Sequence, residues 1–308
     1  MSSMTPETID RSSDAPLLRA RSLVKVFSIK GDGAVTGKST FRAVDDVSFE
    51  IHPGETTSIV GESGSGKSTT ARIIAKLLEP TSGTLEFEGV DVTRPDKKQL
   101  RAFRSDVQVV FQDPFSSLNP RHTVEQIISA PLRYQGIGDA KEYPRIVKDL
   151  MSRVGLNPDH SRRYPAQFSG GQAQRIGIAR ALVVNPKLVI CDEAVSALDV
   201  TVQAQVIDLL KDLQRERGIS YLFIAHDLAV VRQITHRVAV MSSGKIVEQG
   251  PRDAVFDHPQ DDYTKTLLAA IPRINPEWER ARLMHERLRL NDAPDGPGEK
   301  GELVEQER

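Results

Sequence analysis

The chain has 308 residues and a net charge of −1, from 42 acidic and 41 basic side chains. This balance argues against a general nucleic-acid or membrane-surface binder, because such proteins usually carry a basic excess. A single cysteine excludes a disulfide framework and a cysteine-built metal cluster within one chain, and no apolar run approaches the roughly 18 residues of a membrane span. Because the first twenty residues lack a cationic start followed by an apolar run, we expect a cytoplasmic location.

The first third of the sequence predicts strands around one amphipathic helix. Apolar residues indicate strands at 23–27, 47–51 and 56–60, the second with alternating apolar and polar side chains. A helix is predicted at 68–78, because its apolar residues recur on one face. A further strand is expected near 85–87.

The rest of the chain alternates between helix and strand patterns. Residues 100–181 are rich in helix-period segments and Pro-containing turns, which predicts a helical insertion. The apolar run at 188–191 is typical of a strand buried inside a sheet. A helix at 202–214 and strands at 221–225 and 237–241 follow, with another helix between the strands. This alternation predicts an α/β fold with a mostly parallel core sheet that is covered on both faces.

The segment GESGSGKS at 61–68 matches G-x-x-x-x-G-K-S in full, between a predicted strand and a predicted helix. Its glycines let successive backbone N–H groups face a phosphate, beside the positive end of the following helix. Lys67 would supply a point charge to the β- and γ-phosphates, and Ser68 a hydroxyl ligand for Mg²⁺. A flexible Gly/Ser turn is the alternative, but it does not explain GKS at a helix start. The residues predicted to bind the nucleotide here are Gly61, Glu62, Ser63, Gly64, Ser65, Gly66, Lys67, Ser68 and Thr69.

Two carboxylates, Asp192 and Glu193, follow the apolar run at 188–191. In a phosphate-loop fold the first acid at such a strand end holds Mg²⁺, and the second can polarise the attacking water. The pair alone is a weak signal, because acids often cap the next helix. Its value comes from its occurrence together with the phosphate loop.

Further segments resemble the motifs of ATP-binding-cassette ATPases, in that family's order and over residues 17–272. FSGGQ at 168–172 resembles the signature, and SALD at 196–199 the D-loop. Phe27 stands where the family places an aromatic against adenine. Taken singly, Ser169 could be a helix cap, His226 a satisfied histidine at a strand end and Phe27 a core residue. The residues that the resemblance assigns to the site are Phe27, Gln112 (Q-loop), Ser169, Gly170, Gly171, Gln172, Asp199 and His226 (switch histidine).

The resemblance implies a mechanism in which two ATP molecules lie between two cassettes, each facing the partner's signature. Glu193 would polarise the water, His226 would hold the γ-phosphate, and Gln112 would sense Mg²⁺, which Ser68, Gln112 and Asp192 would bind. Ala194 departs from the family, where Pro often follows the glutamate. Since this change removes no chemical group, we expect hydrolysis to survive.

The resemblance also implies a division of the chain. Residues 1–16 are expected to be disordered and 17–255 to form the ATPase domain, with an antiparallel β-subdomain and a helical signature subdomain at about 100–181. Residues 256–274 resemble the C-terminal element of oligopeptide/dipeptide permease ATPases, although an ordinary terminal amphipathic helix is the alternative. From their composition, residues 275–308 are expected to be a charged tail, partly helical or disordered.

The stretch DPFSSLNPR at 113–121 also resembles the Q-loop extension of the oligopeptide/dipeptide branch. This branch implies two separate permease subunits, a second, non-identical cassette and an extracellular solute-binding protein, with the chain at the cytoplasmic face of the inner membrane. Some relatives carry C-terminal cysteines for an iron–sulfur cluster, but this sequence has none there, so we expect ATP and Mg²⁺ only. Within the stretch, Phe115 and Leu118 would border a groove for a permease helix, unless they pack inside the insertion.

The exact cargo stays open, since nickel, glutathione and sugar importers have similar ATPases. A soluble cassette protein acting on nucleic acid or ribosomes is disfavoured by the charge of −1 and by the single cassette. A non-hydrolytic regulatory subunit is disfavoured by the intact set Lys67, Asp192, Glu193 and His226.

Overall fold

The computed structural model describes residues 15–30, 38–196 and 198–270. The chain divides at residue 268, and the elements below lie in the first unit apart from the last residue of the final helix. Most of the predicted disordered N-terminus, 1–16, and the whole predicted tail, 275–308, lie outside the described residues.

The described elements alternate between strands and helices. The strands are β1 (Leu18–Lys30), β2 (Lys38–Ile51), β3 (Thr56–Val60), β4 (Ser82–Phe87), β5 (Val90–Asp91), β6 (Val107–Val110), β7 (Leu188–Asp192), β8 (Ser220–Ile224), β9 (Arg237–Ser242) and β10 (Lys245–Pro251). The helices are α1 (Lys67–Ile74), α2 (Lys97–Asp106), α3 (Pro114–Ser117), α4 (Val124–Gln135), α5 (Tyr143–Arg153), α6 (Gly170–Leu182), α7 (Val200–Arg217), α8 (Leu228–Ile234), α9 (Arg252–Asp257) and α10 (Asp262–Ala269). None of the helices in these residues is both long and apolar enough to cross a membrane.

Two sheets form the core. A four-stranded antiparallel sheet has the order β2-β1-β4-β5, and a six-stranded sheet has the order β10-β9-β3-β8-β7-β6. The neighbours from β9 to β6 run parallel, and only β10 pairs antiparallel with β9. Every residue of β3 and β8 is buried, as expected for central strands covered on both faces. The α/β fold with an antiparallel subdomain is therefore as predicted.

Four adjacent parallel strands, β3, β8, β7 and β6, end at the same edge of the large sheet. In an open α/β sheet, ligands bind outside the carboxyl ends of the strands. The loops that leave this edge contain the phosphate loop, the two carboxylates, Gln112 and His226. The fold thus gathers motifs that are far apart in the sequence.

The predicted helical insertion, 100–181, differs from the structure at its start. Strand β6 lies inside that range and pairs with β7 at the edge of the large sheet. Helix α2 precedes it and places Phe103, which is 3% exposed, in the main apolar core. Four-residue strands give too short a pattern to be separated from helix segments. The helices of the insertion therefore begin at α3.

Helix α1 also ends earlier than predicted, at Ile74 and not at residue 78. Lys76 has a left-handed backbone, with φ +54°, which a helix cannot continue. Leu77, counted on the apolar face of the helix, is consequently 54% exposed.

Candidate nucleotide site

The phosphate loop connects β3 to α1 through a turn that only glycine can form. Gly61 has φ +148°, and a Cβ placed there would lie 2.1 Å from the carbonyl oxygen of Met241. Gly66 has φ +107°, and its Cβ would lie 2.3 Å from the carbonyl oxygen of Ala43. The loop is thus clamped between β9 and β2, with its backbone held in the curl that suits a phosphate cradle.

Lys67, the first residue of α1, is 4% exposed. Its Nζ donates hydrogen bonds to the carbonyl oxygens of Gly61 (2.8 Å) and Glu62 (2.7 Å). Burial lowers the pKa of Lys67, and the carboxylates of Glu193, Asp192 and Glu62 oppose that shift. A buried cation held only by neutral carbonyl groups would gain from an anionic ligand.

Ser65 supplies a second observation that fits a phosphate. Its Oγ is buried and, within the described residues, has no hydrogen-bond partner. Leaving a buried hydroxyl unpaired costs about 1–3 kcal/mol. A phosphate oxygen in the loop would provide the missing acceptor, so the chemistry of the loop fits the triphosphate that the sequence predicts.

Asp192 ends β7 and faces the start of α1. Its Oδ1 accepts a hydrogen bond of 2.9 Å from the hydroxyl of Ser68. Burial raises the pKa of Asp192, and the Ser68 hydrogen bond and the charge of Arg72 oppose the shift. A hydroxyl beside a carboxylate is the oxygen ligand set that Mg²⁺ uses when phosphates supply other ligands. The described residues contain no group of three or more His, Cys, Asp or Glu side chains that could hold a metal alone.

Glu193 stands next to this pair in a strained backbone conformation. Its φ is +50°, which costs a residue other than glycine about 1–3 kcal/mol. The strain is held by hydrogen bonds from the Glu193 N–H to the Ile224 carbonyl (3.0 Å) and from the Ser196 N–H to the Glu193 carbonyl (3.1 Å). Such strain clusters at functional sites, where it aims a side chain.

Gln112 and His226 both lie close to this carboxylate. The Nε2 of Gln112 donates a 2.7 Å hydrogen bond to Glu193 Oε2. The Nδ1 of His226 lies 3.9 Å from the same oxygen, and the histidine side chain is 57% exposed. Gln112 follows β6 and His226 follows β8. These are the two neighbours of β7 in the sheet, so both residues lie beside Glu193, which follows β7.

Phe27 lies on β1, away from the core, and its ring is exposed. The Nζ of Lys25 is 5.4 Å from the ring centroid. Phe41, for which the sequence predicts no role, pairs with Phe27 across the strands and is 50% exposed. The two exposed rings occupy paired positions of β1 and β2, and β2 continues past Ala43 beside the phosphate loop. Together they form a surface on which a base could stack.

The predicted signature segment begins a helix. Ser169 caps α6, since its Oγ accepts from the Gln172 N–H (3.3 Å) while Gln172 Oε1 accepts from the Ser169 N–H (3.0 Å). Among the described residues, no hydrogen bond joins residues 169–172 to the phosphate loop. Gly171 packs on α7, where an added Cβ would be 2.6 Å from Val202 Cγ1. Asp199 caps α7 by accepting from the Val202 N–H at 3.0 Å.

The structure separates the two apolar residues of the Q-loop extension. Leu118 is 2% exposed and packs inside the insertion, as the alternative to the groove hypothesis requires. Phe115 is 44% exposed, on the short helix α3. Only Phe115 can therefore meet a partner.

Two family models match the chain. One, described as ABC transporter, matches residues 44–196, and the other, described as oligopeptide/dipeptide transporter, C-terminal region, matches residues 247–297. The predicted C-terminal element, 256–274, lies inside the second match.

Curated relatives and solved structures agree with these matches. The glutathione import ATP-binding protein GsiA of Salmonella choleraesuis (strain SC-B67) is 50% identical over 287 residues, which are 93% of this chain and 46% of the relative. GsiA of Escherichia coli (strain K12) is 50% identical over 291 residues, 94% of this chain and 46% of the relative. The chain thus spans about half the length of these relatives.

Among solved structures, the dimeric post-hydrolysis state of the ATP-binding cassette MJ0796, bound to ADP and Pi, has a TM-score of 0.68 and 29% identity, covering 76% of this chain and 98% of that chain. The cbiO1 protein from Clostridium perfringens, part of the ABC transporter complex cbiONQ, has a TM-score of 0.68 and 27% identity. The match covers 86% of this chain and 99% of that chain. With its fold, its motifs in order and both family models in agreement, the chain belongs to the ABC transporter family and to its oligopeptide/dipeptide branch.

Proposed function

We propose that this chain is the ATP-hydrolysing subunit of a membrane importer for peptides. The hydrogen bond from Gln112 to Glu193 carries the proposal, because it joins the residue that leads into the helical insertion to the carboxylate beside the phosphate loop. A change in the insertion would thereby alter the environment of that carboxylate. Such a contact suits an ATPase whose turnover depends on a partner.

The side chains of the site have distinct roles in this proposal. Glu193 would take the proton of the attacking water, and His226 would hold that water and the γ-phosphate in line. Lys67 would exchange its two carbonyl partners for the phosphates. The hydrogen bond from Gln112 to Glu193 would form or break according to the conformation of the insertion.

Ser68 and Asp192 would hold Mg²⁺ together with Gln112, and the bound ion would neutralise charge on the β- and γ-phosphates. Phe27 would stack on adenine, and the neighbouring Phe41 would extend that surface. Ser63, Gly64 and Thr69 complete the loop that faces the triphosphate.

The signature helix supports a dimeric arrangement. The first turn of α6 presents unpaired N–H groups and two glycines, which suit an anion that approaches closely. Because Ser169–Gln172 makes no hydrogen bond to its own phosphate loop, we propose that it covers ATP bound to a second cassette, a non-identical one by analogy with the branch. The described MJ0796 structure is dimeric, as its name states.

The cargo class follows from the branch of the family and not from the site. The match of residues 247–297 favours peptides. Glutathione, itself a small peptide-like molecule, is the second candidate, because the 50% identical relatives are named glutathione import proteins. Two permeases and an external solute-binding protein would contact the cargo, and the chain would sit at the cytoplasmic face of the inner membrane. Stimulation of ATP hydrolysis by short peptides or by glutathione, in the assembled importer, decides between the two.

Phe115→Ser should uncouple the ATPase from its permeases. The ring is exposed, so its loss should change the free energy of unfolding by no more than about 0.5 kcal/mol and leave ATP binding intact. If the ring anchors a permease helix, co-purification with the permeases and cargo-stimulated hydrolysis should both fall.

Val90→Ser is the matched control, since Val90 is an apolar side chain, 53% exposed, on β5 of the antiparallel sheet. It should retain both properties. Wild-type association and stimulation in Phe115→Ser would show that the ring is no anchor, and unfolding of that variant would favour a packing role.

A further inference from the structure

One hydrogen bond connects the C-terminal element to the phosphate loop. Tyr263 lies in the first turn of α10, and its hydroxyl oxygen accepts a bond of 3.1 Å from the backbone N–H of Glu62. The two residues are 201 positions apart in the chain. The C-terminal element therefore contacts the candidate nucleotide site, and no role of this element in ATP binding or hydrolysis has been assigned so far.

The position of Tyr263 is set by a chain of hydrogen bonds that starts on the large sheet. The carboxylate of Glu248, on β10, accepts from the backbone N–H groups of Gln260 (2.9 Å) and Asp261 (3.1 Å). The carboxylate of Asp261 in turn accepts from the N–H groups of Tyr263 (2.9 Å) and Thr264 (3.3 Å), which caps α10. Each link fixes the backbone of the next, and so places the Cα of Tyr263 where its hydroxyl can reach the Glu62 N–H.

The peptide that Tyr263 holds is also tied to Lys67. The N–H of Glu62 points to the tyrosine, while its carbonyl oxygen accepts from Lys67 Nζ at 2.7 Å and from the Ser65 N–H at 3.2 Å. On its other side, Gly61 is fixed against Met241. The orientation of this single residue therefore governs how the loop presents its lysine.

We propose that Tyr263 is a positioning residue of the nucleotide site, and that through it the C-terminal element preorganises the phosphate loop for the triphosphate. The proposal rests on the proposed function only in that the loop binds ATP. The Tyr263 hydroxyl bonds to the backbone of the loop and not to the side chains proposed to act on the water, so its loss should affect binding more than turnover. A net hydrogen bond of the usual strength corresponds to about a fivefold change in affinity.

Tyr263→Phe removes the hydroxyl and keeps the ring. In the full chain we expect the dissociation constant for ATP, measured by calorimetry, and the KM to rise about fivefold, with kcat within about twofold and the unfolding midpoint unchanged. Exchange of the Glu62 amide hydrogen should become faster without nucleotide, which a tyrosine that merely anchors α10 by its ring would not cause. Tyr134→Phe, the same change on an exposed tyrosine of α4, is the control and should alter none of these quantities.

If wild type binds ATP and Tyr263→Phe binds it as tightly as Tyr134→Phe does, the proposal is overturned and the proposed function stands. If wild type does not bind ATP, the proposed function itself fails. Should Tyr263→Phe unfold the chain, Glu248→Gln is the second variant to measure. It weakens the hydrogen bonds from the Gln260 and Asp261 N–H groups that position the start of α10, and it leaves the tyrosine unchanged. Unchanged ATP affinity in Glu248→Gln would then overturn the proposal.

Discussion

Glu193→Gln should reduce ATP hydrolysis by about 10²- to 10⁴-fold and leave ATP binding within about twofold of wild type. The amide keeps the size of the side chain and can still pair with Gln112, but it cannot accept a proton from water. The backbone at φ +50° and its hydrogen bonds to Ile224 and Ser196 involve no side-chain atom of residue 193, so the strained turn should persist. Phosphate release in the assembled importer, beside calorimetric binding of ATP, gives both quantities.

Glu216→Gln is the control for this substitution. Glu216 is an exposed carboxylate near the end of α7 whose partner is Arg153, at 3.5 Å. Its neutralisation should change neither hydrolysis nor binding, because exposed ion pairs contribute little. Equal turnover in Glu193→Gln and Glu216→Gln would refute the assignment of Glu193 as the base.

Lys67→Ala should weaken ATP binding itself, by about 10- to 100-fold, as expected for the loss of charged hydrogen bonds worth about 1.5–3 kcal/mol. In the structure the ammonium group is buried, and its two partners are neutral carbonyl oxygens of the loop. The ammonium group can exchange these carbonyl partners for the phosphates without breaking an ion pair. Calorimetric titration with ATP measures the effect directly.

Lys76→Ala is the matched control for Lys67→Ala. Lys76 is likewise buried, at 7% exposure, its Nζ donates to a backbone carbonyl, that of Thr93, and burial lowers its pKa as it does for Lys67. Its replacement should lower the stability of the fold but keep the affinity for ATP. Unchanged ATP affinity in Lys67→Ala would count against the phosphate-loop interpretation.

Short buried strands of the large sheet are predicted most accurately. β3 agrees with the predicted 56–60. β7 extends the predicted 188–191 by one residue, because the apolar run that predicts it ends before the half-buried Asp192. β10 was missed altogether. It lies at the edge of the sheet, alternates exposed and half-buried side chains and ends in proline, so its pattern resembles that of a loop.

β1 shows how a local irregularity hides a strand. It runs from Leu18 to Lys30, whereas apolar residues alone indicate 23–27. Ser22 has φ +49°, and the pairing with β2 shifts register between Ala20 and Leu23. The bulge interrupts the alternation on which the sequence prediction depends.

For the site, the sequence identifies the residues but not their contacts. The motifs name Ser68 and Asp192, or Gln112 and Glu193, yet these pairs lie 124 and 81 positions apart, and only the strand order brings them together. Phe41 has no place in the predicted site because it lies in the first half of β2, before residue 47, where the sequence predicts no strand. The contact of Tyr263 depends on the path of the chain after β10, which no local pattern specifies.

The most direct test of the account is a structure of the Glu193→Gln chain determined with ATP and Mg²⁺. We expect the triphosphate in the loop between β3 and α1, with Lys67 Nζ moved from the carbonyl oxygens of Gly61 and Glu62 to the phosphates, Ser65 Oγ paired, and the Ser68 hydroxyl no longer donating to Asp192. A nucleotide bound elsewhere, or a loop whose Lys67 keeps both carbonyl partners while ATP is present, would contradict it.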